Sequence, residues 1–271
     1  MNKNKLKQLW AEGKPTINGW LSIGNAFTAE IMAAQGYDSI GIDLQHGAVD
    51  YQTALVMLQA MRASAVVPIV RVPWLEPGII MKALDAGAYG IICPMINTAG
   101  QAAKFVSYLR YPPLGSRSFG PTRANFSAGA NYSAEANGEI LAFAMVETGE
   151  AMDNLDAIAR TPGLDGIYVG PADLTFSLAQ GRLTPAFDRE EPEMIEALQK
   201  ILTACKSAGI RAALHCGTPE YAAKAAGWGF DMTTVSNDVR MLAGAAETNV
   251  KRYRSLIGEL SAGTPTQKGG Y

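Results

Sequence analysis

Eight units, each a short apolar β-rich run followed by a helical segment, predict a (β/α)8 TIM barrel in one α/β domain. Three observations carry this reading. Strand and helix alternate along the whole chain, which requires parallel strands joined by right-handed crossovers. The length of 271 residues suits the ~250 residues of such a barrel. The alternative, an open doubly wound sheet, lacks its marker: no G-x-G-x-x-G follows the first strand and no P-loop pattern appears. There is no sign of a second domain.

The first strand is read over Asn18 to Ile23, with a helix to about Gln35 that Gly36-Tyr37 ends. Ser39 to Leu44 is the second strand, followed by a Gln45-His46-Gly47 loop. Asp50 reads as the N-cap of a helix from Tyr51 to about Ser64. Val66 to Val72 is the third strand and carries Arg71. Glu76-Pro77 opens the next helix, since proline lacks only an N–H that a first turn leaves unused. The fourth strand, Gly90 to Cys93, is closed by Pro94, and Thr98 caps a helix ending near Arg110.

A long irregular stretch, Tyr111 to Asn137, then carries Arg117 and Arg123; such a loop in a compact domain serves function or assembly. Ile140 to Val146 and Gly166 to Val169 are strands five and six, with a helix from Gly149 to Arg160 between them. A polar loop from Gly181 to Glu190 precedes a long helix to Ala208. Strand seven is Arg211 to Leu214, followed by His215-Cys216-Gly217, and a helix runs from Thr218-Pro219 through Ala226. Strand eight is Phe230 to Val235, with a final helix from Val239 to Leu260. Residues 1–17 read as an N-terminal extension and Ser261 to Tyr271 as a frayed, flexible tail.

Composition excludes several classes of partner. A hydrophobic content of 48% with 18% charged residues describes an ordinary core, and a net charge of −2 gives no footprint for nucleic acid. No Lys/Arg run suits an anionic membrane, and the longest uncharged stretch, Ala86 to Ala103, is broken by Pro94 and polar residues. The basic N-terminus lacks the apolar segment of a signal peptide. Cys93, Cys205 and Cys216 are odd in number and lack metal spacing, so they read as buried thiols in a reducing, cytoplasmic protein.

Barrel chemistry sits at the carboxyl ends of the strands. Those ends give His46, Arg71, Pro94-Met95, Glu147, Asp173 and His215. Glu147 and Asp173 end adjacent strands, which lie ~5 Å apart, so two hard oxygen donors can reach one point and suit Mg²⁺ or Mn²⁺. Either alone reads equally as a helix N-terminal acid, and Asp173 also resembles an N-cap. Arg71 inside an apolar run is either a structural ion pair or a binder of a carboxylate or enolate oxygen. His46 carries an imidazole, which suits acid/base work, or else caps its loop. Gln45, Pro94 and His215 are read as pocket lining.

Taken together, Gly36-Tyr-Asp-Ser-Ile-Gly-Ile-Asp-Leu-Gln-His46-Gly, Pro68-Ile-Val-Arg71-Val, Leu84-Asp85-Ala-Gly-Ala, Arg110-Tyr-Pro-Pro-Leu-Gly-Ser-Arg117, Val146-Glu147-Thr and Gly170-Pro-Ala-Asp173-Leu resemble the HpcH/HpaI aldolase family, nearest its hydroxyketoacid branch. The resemblance runs from about Trp20 to Val239. It implies a divalent-metal-dependent pyruvate aldolase, using Mg²⁺, Mn²⁺ or Co²⁺. Glu147 and Asp173 would hold the metal, His46 would be the base and Arg71 would stabilise the enolate. Asp85 would raise the basicity of the histidine, within a chain or across a subunit interface, and the Ala172 amide would contact the pyruvate carboxylate. Two departures stand out: Gln45 where many members have Glu, and Met145 where the family has a substrate-contacting Gln. A homo-oligomer, commonly a hexamer of pairs exchanging the last helix, is also implied.

The implied reaction is reversible cleavage of 4-hydroxy-2-keto acids to pyruvate, or hydroxypyruvate, and an aldehyde. No lysine sits at a strand end, which argues against a Schiff base. Two alternatives compete: an acyl-CoA lyase of the same superfamily, which the near-neutral charge disfavours, and a non-catalytic pyruvate and metal sensor, which would need no base.

Overall fold

Eight short strands hydrogen-bond in sequence order and the eighth returns to the first, closing the barrel. They are β1 (Thr16–Leu21), β2 (Ser39–Asp43), β3 (Val67–Arg71), β4 (Gly90–Cys93), β5 (Leu141–Val146), β6 (Gly166–Val169), β7 (Arg211–Cys216) and β8 (Met232–Val235). Every neighbouring pair is parallel. The computed structural model describes residues 1–262, with side chains through Gly258; from residue 263 onward, the tail expected at the C-terminus lies outside the described residues.

The local signals read from sequence are present as physical caps. Asp50 accepts from the Thr53 N–H, and Thr98 forms a capping box with Gln101. Glu76 accepts from Gly78 and Ile79 ahead of Pro77. Several strand ends differ by one or two residues from expectation, and pairing with β8 sets two of them. Thr16 and Ile17 pair with Met232 and Thr233, so β1 begins earlier than Asn18. His215 and Cys216 pair with Thr234 and Val235, so His215 lies inside β7 rather than beyond it.

The remainder of the N-terminal segment is a plug. Its helix, Lys5–Ala11, lays Leu6 and Trp10 under the barrel, where they join Trp20, Phe143, Met145 and Tyr168 in one apolar cluster. Trp10 meets Phe143 edge-on at 6.2 Å and donates its indole N–H to the Asp231 carbonyl at 3.0 Å. A second, larger cluster fills the layer between strands and outer helices.

The stretch from Tyr111 to Asn137 is more ordered than its sequence suggests, since short helices form at Ala124–Ser127 and Tyr132–Glu139. Tertiary contacts supply the order that local periodicity lacks. The Met1 amine pairs with Glu135 at 3.1 Å, and Arg123 donates to the Ala86 and Leu58 carbonyls. The helix expected over Gly149 to Arg160 is broken at Asn154, whose side chain donates to the Asn97 carbonyl at 3.0 Å. All three cysteines are buried and free. Among the described residues, no helix is long and apolar enough to cross a membrane.

Candidate active site

The register places the two acids side by side. Val146 pairs with Val169 at the carboxyl ends of β5 and β6, so Glu147 and Gly170 follow together. The helix Pro171–Ala179 starts at once, with Gly170 at its cap and Asp173 in its first turn rather than at the cap. Glu147 is only 2% exposed, and its Oε1 accepts from the Met95 N–H at 2.8 Å. Burial, with the Asp173 charge adding, pushes its carboxyl up to about 7 against the opposing Met95 N–H and Arg71.

Glycine at position 170 makes room for this carboxylate. A Cβ there would lie 2.3 Å from Glu147 Oε2 and 2.8 Å from Met145 Cε. The donor set fits a hard divalent cation: one buried carboxylate short of hydrogen-bond donors, beside a second carboxylate that is exposed. Among the described residues no cluster of three or more His, Cys, Asp or Glu could hold an ion. A cation here would therefore complete its shell with water or substrate oxygens, as Mg²⁺ does.

Arg71 is fixed by a residue the sequence reading passed over. Asp43 and Arg71 are register partners on β2 and β3, and Arg71 grips Asp43 through Nε at 2.9 Å and Nη2 at 2.6 Å. Asp43 also accepts from the backbone N–H groups of Gln45 and His46, both at 3.1 Å, and from Trp20 Nε1 at 3.3 Å. Burial would raise its carboxyl, but the Arg71 hydrogen bonds and charge, with those two N–H groups, bring it below the ordinary range. The guanidinium also sits over the Trp20 ring at 5.0 Å. Asp43 thus ties together the arginine, the tryptophan and the turn that carries His46. Opposite charges at the ends of two adjacent apolar strands were the available signal.

These groups surround one cavity of about 350 Å³ at the carboxyl end of the barrel. Its walls include Asp43, His46, Arg71, Met145, Glu147, Ala172, Asp173 and His215. His46 is exposed at the mouth, and the N–H groups of Ala172 and Asp173 head the first turn of their helix beside it. Trp20, Phe187 and Arg240 also line it and were not anticipated. Gln45 and Pro94 stand outside it. Asp85 does not join the site within one chain. It ends the helix Pro77–Asp85, which runs back to the opposite end of the barrel, and it pairs with Arg117 at 2.6 Å.

A closed parallel barrel with two acids, an arginine and a histidine around a cleft at the strand carboxyl ends is the arrangement of a TIM-barrel enzyme. Residues 17–243 match the model of the HpcH/HpaI aldolase/citrate lyase family, and the chain belongs to that family. It is similar to a hydroxypyruvate/pyruvate aldolase of Rhizorhabdus wittichii, 39% identical over 93% of this chain and all of the relative. A 2-keto-3-deoxy-L-rhamnonate aldolase of Klebsiella pneumoniae is 33% identical over 93% of this chain and 94% of its own. A crystal structure of a family member from Burkholderia cenocepacia superposes with a TM-score of 0.85, at 34% identity, over 93% of this chain and all of that one. The chain is an aldolase, a carbon–carbon lyase.

Proposed function

We propose that this aldolase is divalent-metal-dependent and reversibly cleaves 4-hydroxy-2-keto acids to pyruvate or hydroxypyruvate and an aldehyde, through an enolate. The convergence of Glu147, Asp173, Arg71 and His46 on one cavity carries the reading. Relatives named hydroxypyruvate/pyruvate aldolase support the substrate class. Glu147 and Asp173 would hold Mg²⁺, Mn²⁺ or Co²⁺, which when bound supplies Lewis-acid polarisation of the keto oxygen.

The protein's own groups account for the rest. A keto-acid carboxylate is received by the N–H groups of Ala172 and Asp173, where the positive end of the helix favours an anion. His46 at the mouth accepts the methyl proton as the enolate forms and returns it in the reverse direction. Arg71 offers its guanidinium to the developing enolate charge, and its grip on Asp43 keeps it aimed without further reorganisation. Met145 gives this wall an apolar contact in place of an amide.

Asp85 acts on His46 across a subunit interface in this scheme, since the two stand at opposite ends of one barrel. A homo-oligomer, a hexamer by family resemblance, is supported by the last helix, Asp238–Ala262, which exposes Leu242, Val250 and Tyr253. Buried free thiols and the lack of a spanning helix among the described residues suit the cytoplasmic reading. The test is exchange of pyruvate methyl protons in D₂O with added Mg²⁺, Mn²⁺ or Co²⁺. Exchange that EDTA and His46→Ala each abolish supports the proposal, and no exchange with any of the three metals refutes it.

A further inference from the structure

Below the carboxylates, the barrel interior carries a row of polar side chains that the reaction scheme leaves unused. Ser39, Asn18, Thr234, Tyr168 and His215 lie on β2, β1, β8, β6 and β7, and all are buried. The strand register brings them into reach, because Asn18 pairs with both Ser39 and Thr234, and Thr234 with His215. Ser39 Oγ donates to Asn18 Oδ1 at 2.7 Å, and Asn18 Nδ2 donates to Thr234 Oγ1 at 2.9 Å. Thr234 Oγ1 and Tyr168 OH are 2.6 Å apart, and Tyr168 OH lies 2.9 Å from His215 Nδ1.

One direction along this row uses every hydroxyl hydrogen within it. The Asn18 amide is a donor towards Thr234, so the Thr234 hydroxyl is free to pass its own proton on to Tyr168. In that direction Tyr168 accepts the hydrogen bond from Thr234 and donates its own hydrogen to His215 Nδ1. An imidazole that accepts at Nδ1 and is neutral carries its proton on Nε2. Neutrality is supported by the surroundings: burial, with the Arg71 charge adding, brings the His215 ring down to about 3, against an opposing pull from Asp43. The ring is braced by a stack on Phe187 at 4.8 Å and an edge contact with Trp20 at 4.9 Å. It lines the cavity, and its Nε2 has no hydrogen bond to the described residues.

We propose that His215 is a specificity residue, held by this chain as the Nε2–H tautomer, which donates a hydrogen bond to an uncharged hydroxyl oxygen of the aldehyde substrate. The proposal rests on the aldolase reading for its substrate. Tyr168, Thr234 and Asn18 are positioning residues that act only through the ring. A fixed neutral donor favours a hydroxylated aldehyde over its deoxy counterpart, because a deoxy substrate leaves that N–H unpaired.

The tautomer is testable without substrate. The chain has only two histidines, so ¹⁵N-histidine labelling gives a spectrum with two rings. His215 is expected to show an unprotonated Nδ1 and a protonated Nε2, and Tyr168→Phe, which keeps the ring and removes the donor, is expected to release that preference. A protonated Nδ1 in the native protein, or no response to Tyr168→Phe, overturns the proposal. For specificity, His215→Phe keeps the stack on Phe187 and removes the N–H. It is expected to raise KM for glycolaldehyde about fivefold to tenfold, with a much smaller change for its deoxy counterpart acetaldehyde. Equal changes for both aldehydes overturn the specificity role. Failure of pyruvate methyl exchange in the native protein counts against the aldolase reading alone, since the ring's proton is read independently.

Discussion

Replacing Glu147 by glutamine should stabilise the metal-free protein while removing its metal-dependent activity. The native carboxyl is 2% exposed, and burial moves it from the ordinary 4.5 up to about 7. A raised carboxyl favours the protonated folded state, so the penalty is absent below the unfolded value, grows between about 4.5 and 7, and is complete at pH 8. At 1.36 kcal/mol per pH unit of displacement, that penalty is roughly 3 kcal/mol. Glutamine keeps an oxygen for the Met95 N–H, but its NH₂ beside Gly170 is left unpaired, which costs about 1 kcal/mol. The net gain at pH 8 is then about 2 kcal/mol, a rise in Tm of roughly 4–8 °C for a chain of this size. Thermal unfolding in EDTA at pH 8 and pH 5 measures it, and the gain should vanish at pH 5. Added Mg²⁺ should reverse the order, because only the native protein would gain from binding. A glutamine variant no more stable than native at pH 8, or equally stabilised at both pH values, refutes the reasoning.

Three further outcomes are expected. Gly170→Ala should keep the fold, because the atoms its Cβ meets are ends of flexible side chains, yet lower Mg²⁺ affinity at least tenfold by displacing Glu147; titration calorimetry checks this. Asp43→Asn leaves Arg71 without its charge partner in a site where the acid is 2% exposed, and should cost about 3–5 kcal/mol in urea unfolding along with most of the activity. The native Asp43 contribution should be present at neutral pH and fade as pH falls through its lowered value. Trp10→Ala, under the barrel and 4% exposed, should cost about 3–5 kcal/mol in the same assay while metal affinity stays native.

By itself the sequence determined the barrel, because alternating apolar runs and capped helices are local patterns, and Asp50, Thr98 and Glu76-Pro77 cap where their chemistry requires. It also marked His46, Arg71, Glu147 and Asp173, since charged or titratable residues at the ends of apolar strands stand out against their neighbours. Only the tertiary structure decided what those residues touch. Asp43 looked like one residue of a buried strand until the register set it beside Arg71. Asp85 carried a motif, yet the return path of its helix puts it at the far end of the barrel from His46. His215 read only as pocket lining at a strand end until pairing with β8 drew it into β7 and onto a hydrogen-bonded row drawn from five strands. The physical reason is range: caps and periodicities act within a few residues, whereas strand register joins Asp43 to Arg71, 28 residues on, and Asn18 to Thr234, 216 residues on.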